Sequence, residues 1–143
     1  MFKASNLFAL ALCLAAGSSL ANAEQAGMHM YEAAKADPAL WAEFQRIIKP
    51  VATESPWALS FGTTSPSTTE SVNGKAYEVF WGCKPHDCIS ESYVVMYDRS
   101  ERRIIAGAFV RNVYDGPALN ESRITWLGKT EFDSARALGK YLY

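Results

Sequence analysis

The sequence predicts an α+β fold: a central antiparallel β-sheet with helices before and after it in the chain. Two observations carry that reading. Residues 75–127 contain four runs rich in β-branched and aromatic residues, separated by short polar or Gly/Pro turns, and short connections favour antiparallel neighbours. On either side lie segments whose apolar residues recur at helical spacing. No internal repeat and no linker divides the chain, so a single domain is expected.

The chain opens with Met1-Phe2-Lys3, a short apolar core from Leu7 to Ala16, and Ala21-Asn22-Ala23, the small residues a signal peptidase requires. Residues 1–23 therefore read as a cleaved leader and residues 24–143 as one mature domain, exported to the periplasm. The apolar stretch is too short for a membrane anchor and ends in Gly17-Ser18-Ser19. Cys13 follows Leu12, where a lipoprotein would carry a small residue.

Met28 to Ala36 is expected to form a short helix. Asp37 is a good N-cap with Pro38 at the first helical position, so a second helix should run to Lys49, where Pro50 stops it. Leu40, Trp41, Phe44, Ile47 and Ile48 then share one apolar face. Gly62 to Ser71 is Ser/Thr-rich and reads as a solvated loop. Asn73-Gly74 is a turn leading into a strand, Lys75 to Trp81, on which Tyr77, Val79 and Trp81 share a face. Further strands are expected at Ser92 to Tyr97, Arg103 to Asn112 and Arg123 to Leu127, with turns at Asp98 to Arg102 and Asp115-Gly116-Pro117. Glu131 to Leu142 closes the chain as a helix with Phe132, Ala135, Leu138 and Leu142 on one face.

The composition excludes several functions. The chain has 143 residues, 49% hydrophobic and 20% charged, with a net charge of −1 that becomes −2 once Lys3 leaves with the leader. Near-neutrality without a basic cluster argues against nucleic-acid binding. There are only two histidines, His29 and His86, and no G-x-S-x-G, so a hydrolase has no support. His29 reads as a solvent-facing helix residue. No cofactor is implied.

Chemistry concentrates in Cys83-Lys84-Pro85-His86-Asp87-Cys88, between the first two predicted strands. With Cys13 in the leader, Cys83 and Cys88 form an even pair in an oxidising compartment, and a disulfide is expected. It would close a small ring in which Pro85 fixes one φ angle. A loop so stiffened loses little entropy on binding and suits the outward presentation of Lys84, His86 and Asp87. A redox or metal-binding protein using the Cys pair is the alternative from another class. Against it, catalytic dithiols show Cys-x-x-Cys. Zinc held by Cys83, His86 and Cys88 would need thiolates that oxidation removes, and no fourth ligand is suggested.

The segment Cys-Lys-Pro-His-Asp-Cys resembles the signature loop of the inhibitor of vertebrate lysozyme family, exported proteins of Gram-negative bacteria. The resemblance implies helices preceding a central antiparallel sheet, with the loop projecting from it. It further implies a non-enzymatic glycosidase inhibitor whose loop enters the active-site cleft of C-type lysozyme, a peptidoglycan-cleaving enzyme of host defence. By that resemblance His86 is the inhibitory residue, Asp87 a supporting polar contact, Lys84 and Pro85 shape the loop, and Cys83 with Cys88 frame it. The same loop would also suit the cell's own lytic transglycosylases, whose glutamate-bearing clefts are similar to that of lysozyme. Some members of the family are homodimers.

Overall fold

The computed structural model describes residues 27–143; the leader expected at residues 1–23 lies outside them. In chain order the elements are α1 (Met30–Ala36), α2 (Pro38–Ala52), a 3₁₀ turn (Pro56–Ser60), β1 (Thr63–Thr64), β2 (Thr68–Val72), β3 (Lys75–Cys83), β4 (Glu91–Asp98), β5 (Arg103–Asp115), β6 (Ala118–Leu127), α3 (Phe132–Leu138) and a final 3₁₀ turn (Gly139–Tyr141). The strands form one sheet in the order β1-β3-β4-β5-β6, every pairing antiparallel, and β2 shares an edge of β3 with β1. The α+β expectation holds. Among the described residues no helix is long and apolar enough to cross a membrane.

Alternation along the strands gives the sheet two apolar faces. One face carries Phe80, Tyr93, Val95, Tyr97 and Phe109, and packs against Met30, Leu40, Phe44, Ile47 and Ile48 of the two leading helices. The other carries Val79, Val94, Met96, Ala108 and Val110, covered by Leu138 and Leu142 near the end of the chain. The first pair of helices is latched to the sheet by Asp37. Its carboxylate caps α2 by accepting from the Ala39 amide at 3.1 Å, and also accepts from the Tyr97 hydroxyl at 2.6 Å and the Arg102 guanidinium at 2.9 Å. Those donors, Tyr97 first, hold the Asp37 carboxyl down at about 2 against the opposing effect of burial.

Several expectations need correction. Pro50 does not stop α2: the helix continues to Ala52. The hydrogen bond that Pro50 cannot donate would have gone to Arg46, and both residues lie on the solvent face, while one turn more lets Val51 be buried. The Ser/Thr-rich stretch is not all loop, because β1 and β2 pair with β3, and Asn73-Gly74, both at positive φ, make the β2–β3 hairpin turn. Threonine suits an exposed edge strand, which needs no apolar alternation to betray it. Trp41 sits at the margin of its apolar stripe, 43% exposed and edge-on to Phe61. Phe132 is 76% exposed, and α3 ends at Leu138, so Leu142 reaches the core from beyond the final 3₁₀ turn. The last two strands are longer than expected and extend as a hairpin past the sheet. His29 is not solvent-facing: it caps α1, is half-buried, and its Nδ1 hydrogen-bonds the Thr64 hydroxyl at 3.0 Å.

Candidate functional site

The loop between β3 and β4 is built by local rules. The last paired residues of the two strands are Cys83 and Ser92, and the Lys84 amide adds a further rung by donating to the Glu91 carbonyl at 3.0 Å. Cys83 and Cys88 are bridged, with Cα atoms 4.8 Å apart, as expected. Inside the ring, the Asp87 amide donates to the Lys84 carbonyl at 3.0 Å, closing a four-residue turn with Pro85 second and His86 third at φ +64°. Proline second and positive φ third is the type II arrangement, in which the third position normally falls to glycine or asparagine. A histidine there accepts a left-handed backbone that its side chain disfavours.

The turn sorts the polar side chains into two groups. Lys84 Nζ lies 3.4 Å from Asp87 Oδ2, and the Ser90 hydroxyl donates to Asp87 Oδ1 at 2.7 Å. Ser90 and Lys84 hold the Asp87 carboxyl below its ordinary range, so it is an anion at neutral pH. Lys84 and Asp87 thus neutralise each other within the loop. Pro85 and His86 are exposed at the tip, and the His86 ring has no hydrogen-bond partner among the described residues. Cys83 is fully buried at the neck, whereas Cys88 is exposed. Among the described residues no group of three or more His, Cys, Asp and Glu side chains is placed to hold a metal ion.

Beneath the neck, packing and charge fix the strand ends. A Cβ on Gly82 would fall 2.6 Å from the ring of Tyr93, so only glycine lets that buried tyrosine lie across β3 and donate to the Phe61 carbonyl at 3.0 Å. Glu91, the first residue of β4, accepts from Ser55 Oγ (2.9 Å), Trp57 Nε1 (2.6 Å) and Arg111 Nε (2.8 Å). Burial pushes its carboxyl up, but Trp57, Arg111 and Ser55 outweigh that and hold it below the ordinary range. Arg111 also pairs with Glu54 and donates to Ser55 Oγ at 2.8 Å. Sequence reasoning missed this cluster, whose members come from α2's end, the 3₁₀ turn, β4 and β5. It missed Asn112 as well, whose side-chain amide donates to the Ile89 carbonyl at 2.9 Å. A groove of about 460 Å³ opens beside the loop, lined in part by Trp81, Cys88, Ile89, Asn112, Tyr114 and Tyr143.

The chain is similar to two curated proteins, both named inhibitor of vertebrate lysozyme, from Escherichia coli strain K12 and Escherichia coli O157:H7. Each is 32% identical over 71 residues, which are 50% of this chain and 43% of the relative, so the chain matches less than half of each relative's length. The family described as inhibitor of vertebrate lysozyme matches residues 39–130, a span that runs from α2 through the whole sheet and contains the bridged loop. With that match covering well over half of its length, the chain belongs to the inhibitor of vertebrate lysozyme family.

Proposed function

We propose that this chain inhibits a C-type lysozyme by seating the Cys83–Cys88 loop in the enzyme's active-site cleft, with His86 addressing the catalytic carboxyl groups. The observation that carries the reading is the loop tip: an exposed histidine, without a hydrogen-bond partner among the described residues, held in a left-handed backbone on a neck closed by a disulfide and a strand ladder. Residues held in such disfavoured backbone conformations cluster where function needs them. A retaining glycosidase holds two carboxyl groups roughly 5 Å apart, one protonated and one ionised. An imidazole has two polar nitrogens on opposite edges, so one ring can hydrogen-bond both groups and exclude substrate. The names of the matched family and relatives support the same target class. The protein acts by occlusion, without catalysis of its own, in the periplasm.

The test is titration of the purified protein into a lysozyme lysis assay, beside a lytic transglycosylase assay. Near-stoichiometric loss of lysozyme activity is expected. Full activity at a large molar excess refutes the reading, and inhibition confined to the transglycosylase transfers the target to that enzyme.

A further inference from the structure

We propose that Asn112 of β5 is a positioning residue for the loop: with Ser122 of β6, it holds the loop's outgoing arm, Ile89–Ser90, independently of the disulfide. The β4–β5 ladder ends at the pair Glu91 and Arg111, so the backbone of Asn112 lies one residue beyond the last rung. Its amide is nevertheless satisfied, donating to the Ser90 carbonyl at 2.8 Å, and its side-chain amide donates to the preceding carbonyl, Ile89, at 2.9 Å. The arm leaving the disulfide ring is therefore gripped at two consecutive peptide carbonyls by one residue of the neighbouring strand.

The side chain of Asn112 is itself oriented. Its Oδ1 accepts from the Ser122 hydroxyl at 2.7 Å, and Ser122 is its cross-strand partner. Since Ser122 has one hydroxyl hydrogen and uses it there, the 2.7 Å contact between Ser122 and Tyr143 is donated by the Tyr143 hydroxyl. The Ile89 carbonyl can only accept, so the Asn112 nitrogen faces it and the oxygen faces Ser122, and the donors run Tyr143 to Ser122 to Asn112 to Ile89. From the gripped arm the order passes inward. The Ser90 amide donates to the Asp87 carbonyl at 3.2 Å, and the Ser90 hydroxyl to the Asp87 carboxylate. Asp87 in turn closes the turn that carries His86. None of these bonds involves a sulfur atom. The bridge ties the two ends of the ring to each other; the Asn112 grip ties the outgoing end to the sheet.

Amide hydrogen exchange on the purified protein tests the proposal without reference to any target. Expected for N112A is an increase of about tenfold in exchange at Asp87 and Ser90, with Val95 in the centre of β4 unchanged. N112D keeps the size and the acceptor for Ser122 but loses the donor to Ile89, and should behave like N112A. S122A should give a smaller increase, and S122T, which restores the hydroxyl, none. In a protein with both Cys83 and Cys88 replaced by Ser, the Ser90 amide should stay protected until Asn112 is also changed. Parental exchange in N112D overturns the proposal, as does an increase shared equally by Val95, or loss of Ser90 protection on removal of the disulfide alone. Lysozyme inhibition is a separate readout that rests on the functional reading above. Should the parent fail to inhibit, that reading falls while the exchange pattern still decides the role of Asn112.

Discussion

Replacing His86 with glycine separates what this residue does for binding from what it does for folding. In the free protein the ring makes no hydrogen bond to the described residues and the position is exposed, so little packing is lost. The backbone sits at φ +64°, where a residue with a Cβ is disfavoured by about 1 kcal/mol relative to glycine. Glycine's greater freedom in the unfolded chain offsets about 0.5–1 kcal/mol of that gain. H86G should therefore leave stability unchanged or raise it by up to about 0.5 kcal/mol, a Tm shift of no more than about 2 °C. Inhibition should move the other way. Truncating a side chain that is central and desolvated in a complex costs about 2 kcal/mol or more, a rise in Ki of roughly thirtyfold. The assays are thermal melting and inhibitor titration against lysozyme, with H86A as a second variant that keeps the Cβ. An H86G protein that inhibits like the parent removes His86 from the mechanism. A loss of more than about 1 kcal/mol of stability would show that the ring supports the fold after all.

Three further outcomes are expected. Replacing both Cys83 and Cys88 with Ser releases a small ring and should cost about 2 kcal/mol in a urea melt. The protein should stay folded and inhibit more weakly, because the tip must then be ordered on binding. R111A removes the guanidinium from Glu91 and Glu54 and should cost about 2 kcal/mol at pH 7, with E91Q losing less because no charge is left unpaired; equal losses would refute the ion-pair account. Asp37 has its carboxyl lowered from 3.8 to about 2, so the stability it contributes is present above pH 3.8 and disappears as pH falls toward 2. Allowing for solvent screening of this partly exposed carboxyl, that contribution is about 1 kcal/mol, and D37N should flatten the acid limb of a stability profile in this window; an unchanged limb would place the acid sensitivity elsewhere.

Much of the site was legible in the sequence because it obeys local rules. Pro85 after Lys84 marks a turn, two cysteines five positions apart meet once that turn forms, and the flanking β-branched and aromatic runs make the strands that support it. The cap at Asp37 and the turn at Asn73-Gly74 are equally local. What only the tertiary structure decided involves partners distant in sequence. Thr68–Val72 is a strand because β3 offers it an edge, and α2 runs through Pro50 because Val51 finds a core. His29 leaves solvent for Thr64, 35 residues away, and Glu91 gathers donors from Ser55, Trp57 and Arg111. The grip of Asn112 on Ile89, 23 residues away, belongs to the same class. Backbone turns and strand periodicity are set by interactions between near neighbours, which the order of residues encodes directly. A half-buried ion pair or an edge pairing depends on which surfaces meet once the sheet has closed, and that is a property of the folded chain alone.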